Sequence, residues 1–274
     1  MISLLYSRTA YDNRGCLDDP GKGRPLADQG KGCWSVAQEE EAGGAAGVDP
    51  ARLWLGPAEP RRGRKPSFSR EAITGAAVAL ADTEGLDAVS MRRVAAVVGA
   101  GVMSLYSYAP DKETLLELMV DHVSAELPTS GPLTGDWRAD LKAIAHLQRD
   151  HMLRHPWLPA ALSAHRTPGP HVLAFLEHAL VALRPSGLDG AARLEVFAQL
   201  TAFVAGHVSH ELARNEAARS PERAAAEAHY LAMVAQDGHH PELAEALSAP
   251  GRPTDPEATF SRFLNRLIDG LDTD

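Results

Sequence analysis

Four short clusters in this 274-residue chain carry side chains able to do chemistry. Arg61, Arg62, Arg64 and Lys65 put four cations within five positions, a density suited to phosphate oxygens. Gly99-Ala100-Gly101 is followed by Val102, Met103, Ser104, Tyr106, Ser107, Tyr108 and Lys112. There, small residues permit close approach, hydroxyls can bond bases or phosphates, and apolar groups can touch a thymine methyl. His151 and His155 lie four apart, and His207 and His210 three apart, spacings that put two metal ligands on one helical face. No cysteine or suitably placed acid completes either set, and a charged His155 at a helix end would simply complement the helix dipole. The expectation is therefore no metal and no cofactor. Nor is an enzyme expected. GHVSH is not a nucleophile elbow, no glycine loop is followed by lysine and hydroxyl, and Gly99-Ala100-Gly101 lacks the strand that a dinucleotide fingerprint needs.

The elements that must position these groups are helical. Apolar residues make up 45% of the chain but aromatics only 5%, and Ala and Leu dominate, residues that lose little side-chain freedom in a helix. Ser69 caps a helix to about residue 83, with Ile73, Ala76, Ala77 and Leu80 on one face and Gly85 at its end. Ser90 caps a second helix, the glycine turn follows, and residues 102–108 form a third, closed by Ala109-Pro110. Asp111 caps a fourth. Downstream, helices are expected at about 137–154, 157–164, 170–183, 189–217, 221–235 and 256–271, with a loop at QDGHHPE. Residues 1–60 show no sustained period and are rich in Gly, Asp, Pro and Ala. They read as a disordered leader, or as an extension from a start codon assigned too early. The division is leader 1–60, reader 61–124 and body 125–274. The fold class is all-α: a three-helix helix-turn-helix domain followed by a helical bundle.

A helix-turn-helix lays its second motif helix in the major groove while the first crosses the backbone. Gly101, Val102, Met103, Ser104 and Ser107 are then base-facing, and Leu105 turns into the reader core. Tyr106, Tyr108 and Lys112 face phosphates, with the amides at the next helix start adding to that site. Ser90, Arg92 and Arg93 lie on the helix that crosses the backbone, and the 61–65 arm reaches phosphates or the minor groove. The net charge of −9 argues against DNA binding by the chain as a whole. Phosphate attraction, however, is local, decaying over about 8–10 Å in physiological salt, and the arm concentrates it at one face.

The stretch VSMRRVAAVVGAGVMSLYSYAPDKETLLELMVD closely resembles the reader of tetracycline-repressor (TetR) family regulators. The matching positions are Ser90, Gly99, Leu105, Tyr106, Tyr108, Pro110 and Lys112. The resemblance implies that Tyr106 and Lys112 hold phosphates. The family often carries a basic residue where this chain has Ser107 and a histidine where it has Tyr108, which implies weaker or differently specified operator binding. GDWRADLKAIAHLQRDHMLRHPWLPAAL and FSRFLNRLIDGLD look like the family's C-terminal domain, but ligand identity does not carry over.

That resemblance implies a body that dimerises through two late helices, here 189–217 and 256–271, with Phe197, Leu200, Val204, Phe260, Phe263, Leu264 and Leu267 at or near the interface. His146, His151, Trp157, His171, Phe175, His178, Phe203 and His207 are candidates to line a mostly apolar ligand cavity. The expected protein is a homodimeric repressor that binds a palindromic double-stranded DNA operator and is released by a small-molecule effector. The alternative is a helical ligand-binding or interaction protein whose helix-turn-helix no longer reads DNA. No stretch approaches the ~20 apolar residues that span a bilayer, and Cys16 and Cys33 form no disulfide framework. The expected location is the cytoplasm, with no membrane partner.

Overall fold

The structure, a computed structural model, describes residues 49–56, 68–163, 167–249 and 255–271. Arg61, Arg62, Arg64 and Lys65, together with Cys16, Cys33 and Trp34, lie outside the described residues. Among those residues are twelve α-helices and no strand.

Three helices make the reader: α2 (Arg70–Glu84), α3 (Met91–Val98) and α4 (Val102–Leu105). Their starts follow the predicted capping chemistry. Ser69 Oγ accepts from the Ala72 amide at 3.2 Å and Ser90 Oγ from the Arg93 amide at 3.3 Å, each satisfying a donor that the helix leaves orphaned. Gly99 ends α3 at φ +74°, the left-handed conformation that glycine adopts without a Cβ penalty. Gly85 ends α2 at a positive φ of 84° but with an extended ψ of 169°, so it is not the left-handed cap expected there. Helix α4 has only four residues, shorter than predicted. Ile73, Ala77, Val94, Leu105 and Leu115 are buried and close the reader core.

Helix α5 (Lys112–Ser124) packs along α2 and carries the reader into the body. The body comprises α6 (Trp137–Arg154), α7 (Leu158–Ser163), α8 (Pro170–Ala182) and the 29-residue α9 (Gly190–Ala218). It continues with α10 (Pro221–Gln236), α11 (Pro241–Ser248) and α12 (Pro256–Asp269). Helices α6, α7 and α8 all pack on α9, and α12 packs on α6. Helices α10 and α11 pack on one another, yet neither contains a buried residue, and Tyr230, Met233 and Leu247 are exposed. Sequence periodicity did not anticipate α11.

One element falls in the stretch read as leader: α1 (Pro50–Leu55), capped by Asp49. Leu53 is buried, and its carbonyl accepts from Arg70 Nη1 at 3.2 Å. The Trp54 ring lies against Gly169, where an added Cβ would come within 2.7 Å of Cη2 and 2.4 Å of the Asp121 carboxyl. That close approach at the N-terminus of α8 requires glycine. Asp121 Oδ1 in turn accepts from the His171 and Val172 amides at 2.8 and 3.2 Å, capping α8 from α5.

Candidate nucleic-acid interface and ligand cavity

The short α4 presents its start to solvent. Gly101, Met103, Ser104, Tyr106 and Ser107 are exposed, Met103 at 81%, while Val102 is half-buried against the reader core. Leu105 is fully buried, as its inward phase predicts. Ser107 Oγ donates to the Ser104 carbonyl at 2.6 Å, which spends its hydrogen and leaves the oxygen as an acceptor. Lys112 is exposed in the first turn of α5, beside the amides that Asp111 does not cap; Asp111 Oδ1 takes the Thr114 amide at 2.7 Å. Arg92 is exposed and makes no ion pair among the described residues, whereas Arg93 pairs with Glu84 at 2.7 Å. Both side chains of that pair are about half exposed, so its strength is small and Arg93 remains exchangeable.

Tyr108 departs from expectation. It is buried, and its hydroxyl donates to the Phe68 carbonyl at 2.9 Å. A ring held inside the reader with its one hydrogen committed is not presented to phosphate, so Tyr108 locks the 68–70 entry to α2 against the end of α4.

In the body, α5, α6, α7, α8 and α9 line a small cavity of about 60 Å³ that opens to solvent. Its wall is apolar except at a few points: Ser124, Gln148, His151 and Thr201. Ser124 Oγ donates to the Val120 carbonyl at 2.7 Å. Thr201 Oγ1 donates to the Phe197 carbonyl at 2.9 Å and accepts from Gln148 Nε2 at 2.9 Å. Two buried polar atoms of these residues, Gln148 Oε1 and His151 Nε2, have no hydrogen-bond partner among the described residues. Burial, with the charges of His155 and Arg154, pushes the His151 pKa down to about 4, so its ring is neutral near pH 7.

Of the residues predicted to line the cavity, His151 and Phe175 do so. The others lie elsewhere. Trp157 turns away, donating from Nε1 to Asp82 at 2.7 Å. His171 is held by Asp121 at 2.8 Å with its side chain half exposed, and His178 is half-buried on α8 outside the lining. His146, Phe203 and His207 surround Phe260 on the far side of α9, with ring centroids 5.1, 5.7 and 5.1 Å away. Sequence reasoning missed Gln148 and Thr201. Gln148 did carry a signal, since it falls in phase with the buried Leu141, Ile144, Ala145 and Met152 on α6.

The expected dimer residues are likewise divided. Phe197, Leu200, Val204, Phe260 and Leu264 are buried within the protomer, and Phe197 is a cavity wall. Phe263, 44% exposed, and the half-buried Leu267 remain outward. Arg149 fastens the far side of the body. Itself buried, it donates to Glu257 on α12 at 2.6 Å and to Glu211 on α9 at 3.0 and 3.1 Å, and sits over the Phe260 ring.

Between cavity and reader lies a charged joint. His155 places Nδ1 2.9 Å from Asp82 on α2 and Nε2 3.3 Å from Glu126, beyond the end of α5. A ring facing two carboxylates donates to both only when doubly protonated. Burial would raise the Glu126 pKa, but the bond and charge of His155, aided by Arg154, hold it below the usual carboxylate value. Glu126, His151 and His155 each bring one ligand atom within 4.8 Å of the others. Arg154 already supplies positive charge there by binding Glu126, so the cluster works as an ion-paired joint between elements.

Comparison with known proteins places these features in a lineage. Residues 73–119 match the model described as bacterial regulatory proteins, tetR family, and residues 128–274 match the tetracyclin repressor-like C-terminal domain. The chain is 33% identical over 263 residues to the HTH-type transcriptional repressor DrrR1 of Streptomyces coeruleorubidus, covering 93% of this chain and 92% of that protein. It is also 33% identical to an HTH-type transcriptional regulator of Saccharopolyspora erythraea, covering 81% of this chain and 92% of the relative. Among solved structures it is similar to ActR of Streptomyces coelicolor. The actinorhodin complex of ActR is 26% identical with a TM-score of 0.62, covering 75% of this chain and 97% of ActR.

Proposed function

We propose, from the premise that this chain belongs to the tetR family of bacterial regulatory proteins, that it is a repressor whose grip on a palindromic operator is released by a small molecule bound in the body cavity. That the chain is a DNA-binding transcriptional regulator follows from the family; the effector, the dimer and the contact residues are our reading. ActR, similar in fold and 26% identical, has been solved in complex with actinorhodin, which supports a small-molecule effector for this chain. The protein acts in the cytoplasm and catalyses no reaction. No helix among the described residues is long and apolar enough to cross a membrane.

One observation carries the reading: the stretch 151–158, from the end of α6 to the start of α7, serves both sites. His151, Met152 and Leu158 are cavity wall. His155 and Trp157, interleaved with them, hold Asp82 of the reader. A ligand that displaces this wall moves the Asp82 clamp, and α2 is reoriented relative to the body. The ligand must bind the DNA-incompetent state better; about 1–3 kcal/mol of coupling lowers operator affinity about five- to 150-fold.

In the reader, Met103 and Ser104 contact bases, with Gly101 permitting close approach. Tyr106, Lys112, Arg92, Arg93 and the arm at 61–65 contact phosphates. Two copies dimerise through the outward faces of α9 and α12, bringing two readers to half-sites about 34–36 Å apart. Exposed Ala202, Gly206 and Ser209 on α9, in helical phase with one another, leave room for a partner helix.

Selection of bound sequences from a random duplex library, using the full chain, tests this. A palindrome with half-sites one helical turn apart, bound with a steep fall in affinity as salt rises, is the expected result. A folded dimer that enriches no sequence would overturn the reading.

A further inference from the structure

We propose that Glu126, His151 and His155, at the joint between reader and body, bind one zinc-class divalent cation, with Asp82 as the outer carboxylate that orients the site. The site does not depend on the effector cavity.

His151 and His155 lie four apart at the end of α6, so one helical face carries both rings, their centroids 5.1 Å apart. The acid that the local sequence lacks comes from the turn after α5. It is Glu126, 29 positions before His155. Glu126 Oε2 lies 3.4 Å from His155 Nε2 and 3.8 Å from His151 Nδ1, and one ligand atom of each residue falls within 4.8 Å of the others. Zinc bonds of about 2.0–2.2 Å at tetrahedral angles hold ligand atoms about 3.4 Å apart, so these two edges need to close by no more than about 0.4 Å. Two imidazoles and a carboxylate suit zinc; calcium and magnesium take oxygen sets.

The far nitrogen of His155 singles this cluster out. Nδ1 lies 2.9 Å from Asp82 Oδ1, and the same oxygen accepts from Trp157 Nε1 at 2.7 Å. A metal-binding histidine almost always donates its outer N–H to a carboxylate, carbonyl or water, which fixes the tautomer and aims the opposite lone pair at the metal. Here that lone pair faces Glu126.

The charges balance in both states. Without a metal, Asp82 and Glu126 are faced by Arg154 and by His155 when it is doubly protonated. A dication replaces both: His155 gives up its Nε2 hydrogen, and Arg154, its side chain 55% exposed, turns to water. The place it leaves gives the fourth position to a water molecule. The Glu126 side chain is 40% exposed, so the cation enters from that side.

Zinc titrated against a chromophoric chelator tests this, with the full chain carrying Cys16→Ser and Cys33→Ser so that thiols do not compete. One zinc per protomer is expected. Asp82→Asn should weaken it about ten- to 100-fold without removing a ligand atom. Glu126→Gln and His155→Ala, which remove ligands, should cost at least as much, and the half-exposed Glu126→Gln suffices if His155→Ala fails to fold. Arg154→Gln removes the competing cation, so zinc should bind about two- to fivefold more tightly, a change that a purely structural ion pair would not produce. His207→Gln and His210→Gln on α9 should leave the affinity unchanged. Absence of stoichiometric zinc, unchanged affinity in Asp82→Asn or Glu126→Gln, no tightening in Arg154→Gln, or loss of zinc in either α9 variant overturns the proposal.

Discussion

At the residue scale, Tyr106 and Tyr108 show how two side chains two positions apart acquire opposite jobs. Tyr106 follows the last turn of α4 and is 42% exposed, whereas Tyr108 is buried with its hydroxyl on the Phe68 carbonyl. Tyr106→Phe is therefore expected to weaken binding to all DNA sequences alike without lowering the melting temperature. Tyr108→Phe should do the reverse, costing about 1 kcal/mol of stability for the lost bond while leaving the DNA contacts in place. Thermal melts set beside DNA titrations at constant salt distinguish the two; a uniform DNA-affinity loss from Tyr108→Phe greater than that from Tyr106→Phe would reverse the assignment. His151 makes a pH prediction. Burial lowers its folded pKa to about 4 from an ordinary 6.5, so between those values the unfolded chain holds a proton that the folded one does not. Its contribution is complete above about pH 6.5 and is lost as pH falls toward 4, with a slope of at most about 1.4 kcal/mol per pH unit. His151→Gln should flatten stability between pH 7 and 5. Some slope should remain from His207, whose pKa burial also lowers.

At the scale of elements, the joint formed by Asp82, His155 and Trp157 is where reader and body meet. Asp82 lies near the exposed end of α2 and receives Trp157 Nε1 at 2.7 Å with His155 at 2.9 Å. Asp82→Ala should leave cavity and reader each folded but reduce the ligand-induced loss of DNA affinity toward onefold, measured as operator affinity with and without saturating ligand. Full retention of the ligand effect would remove the joint from the pathway. Little of this was legible in the sequence. Capping serines, the left-handed Gly99 and the apolar stripe of α6 are local signals, and they place the helices to within a few residues. Asp82 and His155 are 73 positions apart, and their pairing depends on how α2 and α6 pack, which periodicity does not encode. Trp157 and Tyr108 were misplaced for the same reason: an aromatic residue at a loop or helix end advertises burial without naming its neighbour. Helix α1 was hidden by a Pro- and Gly-rich context and is held by tertiary contacts, Leu53 on Arg70 and Trp54 on Gly169.

At the scale of the whole molecule, most of the apolar residues expected to join two copies are spent on the protomer core, which moves the proposed interface to what is left outside. On α12 that is Phe263 and part of Leu267. On α9 it is a strip of small residues, Ala202, Gly206 and Ser209, all exposed. Gly206 provides a clean probe because a Cβ added there meets nothing within 4 Å of the protomer's own atoms. Within one copy, Gly206→Arg replaces a poor helix former with a good one in open space and should not disturb folding. Between two copies, it would push a cation into a close helix–helix contact and leave it buried without a partner, a cost of several kcal/mol. Sedimentation should then find a helical monomer. Operator affinity should fall by far more than the loss of any single phosphate contact, because each monomer holds only one half-site. A dimer of unchanged affinity in the Gly206→Arg protein would exclude this face of α9 from the interface and move it to the exposed α10–α11 pair, whose Tyr230, Met233 and Leu247 would otherwise stay in water.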